Sequence, residues 1–268
     1  MPYLFRLFIA ALTCTALLTS CEKVIDVDLN AAASRYVIEG VVTDGAGPHY
    51  VRITRTKNFD ENNDFEGVSA AVVTIADDAG YTETLAYAGG GLYQTAALAG
   101  RPGSTYYLKI QVGGETFTAQ SAMPGPVSPD SIYLEEFTSF GDPIKIPFVA
   151  YQDPPEVRNY YRHLLYVNNV RAEALYISTD ARNDGYWVER PLPLFGDDEA
   201  EAGEIKTGDS IRVEMHAIGK EVYDYFFSLD QTISQSAATP ANPVSNIRGG
   251  ALGYFSAHSV TKKSVVVE

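Results

Sequence analysis

The chain has 268 residues, a formal net charge of −14 at pH 7 and two cysteines. This acidic balance argues against nucleic-acid binding, because contacts to phosphates require clustered Lys and Arg. A chain of this length is long enough to bury one or two hydrophobic cores, and it does not depend on disulfides for stability.

The N-terminal segment 1–20 has the features of a lipoprotein signal peptide. Arg6 supplies a positive charge, and the apolar run at 7–18 is too short to span a bilayer. The run ends in a bacterial lipobox, in which Leu18, Thr19 and Ser20 directly precede Cys21. This pattern predicts cleavage before Cys21 and lipidation of its thiol, which anchors the chain to a membrane. A buried N-terminal helix or strand is the alternative interpretation.

The lipobox prediction leaves the mature chain without a reactive thiol. Cys14 leaves with the signal peptide and Cys21 carries the lipid, which excludes cysteine nucleophiles, thiolate metal sites and disulfides. The polar and acidic segment 21–34 is predicted to be a lipidated tether. Even fully extended, the tether reaches only about 40 Å, so the folded part is expected to act close to the membrane.

Short segments with alternating apolar and polar residues follow the tether, and this period is typical of β-strands. Strands are predicted at 36–42, 49–55, 71–76, 81–87, 92–96, 106–112 and 115–121. The last two form a hairpin across Gly113-Gly114, a pair suited to a tight turn. About seven strands within about ninety residues is the number found in immunoglobulin-like sandwiches, which predicts such a domain over 35–123.

The proline-rich segment 124–130 is the predicted linker, because prolines cannot continue a β-ladder and they stiffen a connection. The part beyond it, 131–268, is again rich in strand patterns. Strands are expected at 131–137, 144–151, 160–167, 174–179, 186–190 and 210–217, with closing strands at 252–259 and 264–268. The acidic segment 196–201 is predicted to be a loop.

One segment near 218–235 departs from the β pattern and predicts a helix. Its apolar residues recur at helical spacing, and they are Ile218, Val222, Tyr225, Phe226, Leu229 and Ile233. We expect this helix to begin near Gly219 and to cover the second sheet; a helix that binds a partner is the alternative. The predicted fold is therefore mainly β, with an N-terminal immunoglobulin-like β-sandwich followed by a second β-rich domain that carries one amphipathic helix.

No catalytic motif is apparent. The four histidines, His49, His163, His216 and His258, are too far apart in sequence to form a metal-binding motif, and none neighbours a serine elbow. His163 and His216 lie in strand patterns, where we expect them to face solvent or to be hydrogen-bonded. The acidic composition offers many carboxylate pairs, but the sequence alone nominates none of them for acid–base chemistry.

A weak calcium motif lies in the first half of the chain. Asp60, Asn62 and Asp64 place oxygen ligands at alternate positions, as at the start of a calcium-binding loop. Phe65, however, stands where such a loop requires glycine, and a solvated loop is the alternative interpretation. Calcium is therefore a minor possibility, and no other cofactor is predicted.

Aromatic residues are concentrated in the second half, where Tyr160, Tyr161, Tyr186 and Trp187 are candidates for a binding surface. Aromatic side chains on a sheet surface can stack on sugars or contact a protein partner. They are also common strand residues that pack in cores. Because side chains alternate along a strand, we expect at least one of Tyr160 and Tyr161 to reach the surface.

Several segments together carry a resemblance to a known family. They are CEKVIDVDL (21–29) after the lipobox, YVIEG (36–40), VVTIAD (72–77), LAGRPGSTY (98–106), NPVSNI (242–247) and GALGYFSA (250–257). The chain thereby resembles the domain of unknown function 4249 family of Bacteroidota lipoproteins over nearly its whole length. The resemblance implies an outer-membrane lipoprotein with an N-terminal immunoglobulin-like domain, similar to companions of TonB-dependent nutrient transporters. It assigns no functional residue beyond the lipidated Cys21.

The predicted function is that of a non-catalytic accessory lipoprotein, anchored in the outer membrane and associated with TonB-dependent uptake or another envelope protein. Two alternatives remain open. The first is a surface protein that binds glycans or peptides through the aromatic residues of the second domain. The second is a hydrolase of unrecognised type.

Overall fold

The computed structural model describes residues 33–58, 64–138, 143–194, 205–234 and 241–268. The signal peptide, the lipobox with Cys21 and nearly all of the tether lie outside these residues, as does the predicted acidic loop at 196–201. Residues Ser34–Glu268 belong to one compact unit. Among the described residues, no helix combines the length and the apolar character needed to cross a membrane.

The described chain is mainly β, as predicted, and contains sixteen strands and one helix. The strands are β1 (Tyr36–Thr43), β2 (Tyr50–Arg55), β3 (Val72–Asp77), β4 (Thr82–Thr84), β5 (Ala86–Gly89), β6 (Leu92–Gln94), β7 (Thr105–Val112), β8 (Glu115–Ala122), β9 (Ser131–Thr138), β10 (Pro143–Gln152), β11 (Tyr160–Val167), β12 (Val170–Arg171), β13 (Tyr176–Thr179), β14 (Trp187–Pro191), β15 (Ser210–Ala217) and β16 (Leu252–Val266). Helix α1 (Lys220–Ile233) lies between β15 and β16.

These strands form three sheets. The largest has nine strands in the order β12-β11-β15-β16-β1-β2-β6-β5, with β13 also paired to β11. A four-stranded sheet has the order β4-β3-β7-β8, and a three-stranded sheet has the order β14-β10-β9. The nine-stranded and four-stranded sheets both contribute side chains to the first hydrophobic core, so they pack face to face as a sandwich.

Strand β16 joins the two halves of the chain. Its first half pairs in parallel with β1, from Leu252 opposite Val37 to His258 opposite Thr43. Its second half pairs antiparallel with β15, ending with Val266 opposite Ser210. The predicted boundary at 124–130 therefore does not separate two sheets, because strands from 35–123 and from 131–268 share one ladder.

The two predicted closing strands, 252–259 and 264–268, are one continuous strand. The intervening polar residues, including Lys262 and Lys263, remain in the ladder with β15 because backbone pairing does not require apolar side chains. The prediction of two strands was wrong for this reason.

Two hydrophobic cores nevertheless lie on the two sides of 124–130. The first contains Ile38, Tyr106 and Phe117 together with Phe255 of β16. The second is built from the strands of the second half, with further residues that include Tyr151, Tyr161, Leu165, Val213, Met215 and Val267. The C-terminal strand and the residues just beyond it thus contribute to both cores.

The predicted turn and helix signals are confirmed locally. Gly113 and Gly114 have φ angles of 57° and 80° and close the β7–β8 hairpin. The predicted strand at 81–87 is interrupted at the buried residue Leu85, where the chain passes from the four-stranded sheet (β4) to the nine-stranded sheet (β5).

Helix α1 begins after Gly219 and ends at Ser234, close to the predicted 218–235. Val222 and Phe226 are buried, and the helix packs against Tyr160 of β11 and Tyr254 of β16. The helix therefore covers one end of the outward face of the nine-stranded sheet, as its apolar stripe predicts.

Candidate functional site

The two tyrosines at the start of β11 are packing residues. Tyr160 lies under helix α1, with its ring centroid 5.1 Å from that of Tyr223. Tyr161 points to the opposite face, is buried in the second core, and donates its hydroxyl to Asp153 Oδ1 at 2.6 Å. Tyr160 is only partly exposed, because helix α1 covers the face on which alternation places it.

The other two aromatic candidates are exposed. Tyr186 is 70% exposed and Trp187 is 50% exposed. Trp187 opens β14 and lies opposite Gln152 of β10, on the outward side of the three-stranded sheet. Glu189 also lies on this side, and the Trp187 indole Nε1–H donates to its Oε1 at 3.4 Å.

The outward side of this sheet is an apolar surface, which we call the aromatic face. It consists of Tyr133 and Phe137 on β9, Ile144, Ile146 and Phe148 on β10, and Trp187 on β14. The Tyr133 and Phe148 rings are 5.4 Å apart and within 14° of parallel, and the Phe137 and Phe148 rings are 6.2 Å apart. The i, i+2 spacing of Ile144, Ile146 and Phe148 within β10 was visible in the sequence, but only the strand register shows that they meet the residues of β9.

A second site lies on the outward face of the nine-stranded sheet, beside helix α1. Here β1, β11, β15 and β16 line a groove of about 630 Å³, which we call the outer groove. Its floor contains Ser256 and His258 of β16 and His216 of β15, and Arg162 of β11 and Glu214 of β15 also line it. Ser256 and His258 are two positions apart on β16, as Glu214 and His216 are on β15, and Arg162 lies opposite His216 on β11. Because side chains alternate along a strand, the sheet holds all five on one face.

The polar groups on the floor are ordered by each other. The Ser256 hydroxyl lies 2.8 Å from His258 Nδ1, and the His258 ring stacks on His216 with centroids 4.5 Å apart. His216 Nε2 lies 3.8 Å from Glu214 Oε2. The neighbouring His216 lowers the pKa of Glu214, and burial holds the pKa of His258 well below its ordinary value. At neutral pH His258 is therefore neutral and Glu214 is ionised.

The strand histidines were expected to face solvent or to be hydrogen-bonded, and within the described part of the chain His163 does neither. His216 is 7% exposed, and His163 is fully buried on the inward face between the rings of Tyr151 and Tyr161. Neither ring nitrogen of His163 has a hydrogen-bond partner among the described residues. Alternation places His163 correctly on a strand, but it does not show that this face is covered by a second sheet.

The Ser256–His258 pair resembles part of a nucleophilic site, but its geometry favours a different role. Ser256 is only 1% exposed, at the bottom of the groove, whereas a nucleophile has to reach the reacting atom of a substrate. Its hydroxyl instead fixes the orientation of the His258 ring from below.

Three carboxylates meet at the loops between β10 and β14. Asp153, Asp180 and Asp184 bring oxygen atoms within 4.8 Å of one another, which is a donor set that suits a hard cation. The two buried carboxylates already accept local bonds: Asp153 from the Gly185 N–H at 3.1 Å and Asp180 from the Asn159 N–H at 2.8 Å. The trio therefore ties these loops together without a ligand, and the sequence analysis did not single it out.

Two of the three predicted calcium ligands lie outside the residues that the structure describes. Asp60 and Asn62 lie outside the described residues, and Asp64 is exposed. The predicted calcium loop thus stays a prediction.

The fold is mainly β, and it carries an apolar surface and a polar groove on the outward faces of two sheets. The chain matches the family described as Domain of unknown function (DUF4249) over residues 22–264. Because this match covers most of the chain, the protein belongs to that family. The comparison with curated proteins finds no match.

Proposed function

We propose that this protein is a non-catalytic binding component of the bacterial outer membrane, anchored by acyl chains on Cys21, and that it contacts a TonB-dependent transporter through the aromatic face. The observation that carries the proposal is the exposed apolar surface on the β14-β10-β9 sheet. The lipobox and the family resemblance supply the location and the kind of partner.

The composition of the aromatic face suits a protein interface. Tyr, Trp and Phe are enriched at the centres of interfaces, where a few of them supply most of the binding free energy. Phe137 and Ile144 are 41% and 55% exposed although they are large apolar residues. Such a contiguous patch is uncommon on a protein without a partner. The exposed Glu135 and Glu189 lie on the same side of the sheet and add a polar component to the patch.

The membrane anchor restricts the partner. A fully extended tether of about a dozen residues reaches about 40 Å, so the partner has to expose its binding surface close to the bilayer. A membrane-embedded transporter meets this condition, whereas a freely diffusing protein needs no anchor on this chain.

The proposal is tested by capture from membranes. Full-length lipoprotein is cross-linked in cells and isolated, and the recovery of a TonB-dependent transporter is quantified. We expect the double substitution Phe137→Ser with Trp187→Ser to lower this recovery at least about tenfold, because aromatic hot spots each contribute about 2 kcal/mol or more. Tyr107→Ser is the control, since Tyr107 is 44% exposed on a different sheet. Equal recovery with the double variant and the control contradicts the proposal.

Binding of surface glycans is a second candidate, favoured by the nearly parallel rings of Tyr133, Phe148 and Phe137. Aromatic rings that stack on sugars are commonly accompanied by polar groups that bond the hydroxyls. Glu189 supplies such a group between Trp187 and Tyr133, and it helps to raise the pKa of the Tyr133 phenol, which burial raises most. A glycan array on which the wild type binds and Trp187→Ala does not bind supports this candidate over the transporter.

A further inference from the structure

The outer groove is lined by more positive than negative side chains, although the chain as a whole is strongly acidic. Arg162, Arg171 and Lys262 line it, against two carboxylates, those of Asp44 and Glu214. Asp44 Oδ1 already accepts the Val260 N–H at 2.8 Å. Glu214 lies 3.8 Å from Arg212 and 3.8 Å from His216. Both carboxylates therefore have positive or donor groups of their own.

Two of the three cations have local neighbours: the Tyr254 hydroxyl accepts a hydrogen bond from Arg162, and Lys262 lies opposite Glu214 in the β15–β16 ladder. Within the described part of the chain, no carboxylate lies at ion-pair distance from Arg162, Arg171 or Lys262. Arg171 and Lys262 are exposed at the rim, whereas Arg162 is partly buried with its guanidinium 4.1 Å above the Phe226 ring. Stacking on Phe226 holds the Arg162 fork in place, so that little side-chain freedom remains to be lost when a ligand binds.

Two buried nitrogen atoms at the groove have no partner. Arg162 Nε and His216 Nδ1 are both inaccessible to solvent and lack a hydrogen bond among the described residues. Buried polar atoms of native proteins are ordinarily satisfied, and an exception calls for an explanation. His216 is 93% buried, and its ring is held by stacking on His258, so it cannot turn towards another acceptor without breaking that contact.

The remaining walls of the groove are mainly apolar, with Thr43 as a polar exception. Tyr50 and Tyr254 lie on one side, and Leu164 and Phe226 lie on the other strands and on the helix. A volume of about 630 Å³ is within the range of sites for small molecules, which are mostly apolar with a few convergent polar groups.

We propose that the outer groove binds a small organic anion, whose oxyanion is held by Arg162 and His216 and whose apolar part lies against Tyr50 and Tyr254. The rim cations Arg171 and Lys262 attract the anion towards the groove. The oxyanion is a carboxylate or a phosphate, since both accept the paired donors of a guanidinium. This site lies on a different sheet from the aromatic face and does not depend on the proposed partner.

The test is isothermal titration of the full-length lipoprotein in detergent with two probes, benzoate and inorganic phosphate. Benzoate combines a carboxylate with an apolar ring, whereas phosphate offers only the oxyanion. We expect at least one probe to bind at millimolar concentration or better. We expect Arg162→Gln to weaken that binding about tenfold or more, because it removes a charge-assisted hydrogen bond. Stronger binding of benzoate indicates that the natural ligand carries a carboxylate, and stronger binding of phosphate indicates that it carries a phosphate.

Two further variants separate the site from general charge effects and from misfolding. Lys109→Gln also removes one positive charge, but from β7 of the four-stranded sheet, and we expect it to leave the affinity unchanged within about twofold. Lys262→Gln changes an exposed rim residue, so it is expected to fold normally and to weaken binding about threefold. The proposal is overturned if neither probe binds the wild type, if Lys109→Gln weakens binding as much as Arg162→Gln, or if Lys262→Gln binds as tightly as the wild type.

Discussion

Gly253 offers the sharpest test of how the two halves are joined. It lies near the start of β16, opposite Ile38 of β1, with a φ angle of +94°. A Cβ atom added to Gly253 collides with the backbone carbonyl of Ile38. The close approach of β1 and β16 therefore requires glycine at this position for two separate reasons, the positive φ and the absence of a side chain.

The two reasons can be separated by a matched control. Gly80 has a φ angle of +90°, but an added Cβ meets nothing within 4 Å there. Gly80→Ala is expected to lower the free energy of unfolding by about 1–2 kcal/mol, which is the penalty of a left-handed conformation. Gly253→Ala adds a clash with backbone that cannot rotate away, worth about 1–3 kcal/mol, and is expected to lower stability by about 2–5 kcal/mol in total.

Urea unfolding of both variants, followed by circular dichroism, measures this difference. The decisive quantity is the gap between the two variants, since the φ penalty is common to both. A Gly253→Ala protein that is as stable as Gly80→Ala refutes the close parallel contact between β1 and β16, whatever the size of the common loss.

Three further predictions concern buried groups of the second half. Tyr161→Phe is expected to lower the free energy of unfolding in urea by about 1.5–3 kcal/mol, because it leaves the buried Asp153 carboxylate without its hydroxyl donor. Tyr176→Phe is expected to lower it by only about 0.5–1.5 kcal/mol, because the Tyr176 hydroxyl donates to a neutral carbonyl at 2.6 Å. Equal losses, or a larger loss for Tyr176→Phe, contradict the charged character of the first bond. Phe226→Ala is expected to lower stability by about 3–5 kcal/mol, as measured by thermal unfolding, because its ring is buried between helix and sheet; a loss below about 1 kcal/mol means that the helix does not pack as described. Burial lowers the pKa of His163 to about 3, whereas the unfolded residue takes up a proton below about pH 6.5. The contribution of His163 to the free energy of unfolding is therefore complete above about pH 6.5. It declines by about 1.4 kcal/mol per pH unit as the pH falls towards 3. The slope of stability against pH between 6.5 and 5 should flatten in His163→Leu, and an unchanged slope argues that His163 is not buried in its neutral form.

Local sequence patterns predict most of the strands because the signals that define them are local. Alternation locates β7 and β8, and the Gly113-Gly114 pair fixes the turn between them. Helix α1 is equally evident, since its apolar stripe continues without a break through the segment. The chain-level fold class, mainly β with one helix, follows from these elements.

Pairing partners are less accessible because they depend on residues far apart in the chain. Nothing near Tyr36 or Leu252 indicates that β1 and β16 are neighbours, and the proline-rich 124–130 suggests a separation that the shared sheet does not have. Local sequence does not predict burial for the same reason. Helix α1 covers Tyr160, another sheet covers His163, and both covering elements are distant in the chain.

The candidate surfaces differ in how far the sequence reveals them. Trp187 was identified from its residue type, and the residues of the aromatic face on β10 share an i, i+2 pattern. The outer groove has no such signal, because Arg162, His216 and His258 come from three strands that are neighbours in the sheet but are separated by other elements in the chain. Each of them alone reads as an ordinary strand residue.

The position of β16 also affects how the fold is assembled as the chain is synthesised. Strand β1 is the first described strand to be made, and β2 follows to pair with one of its edges. The other edge of β1 waits for the last segment of the chain, more than two hundred residues later. An unpaired strand edge that is exposed for that time is a site for unwanted pairing, so partly synthesised chains of this topology are expected to be prone to aggregation through β1.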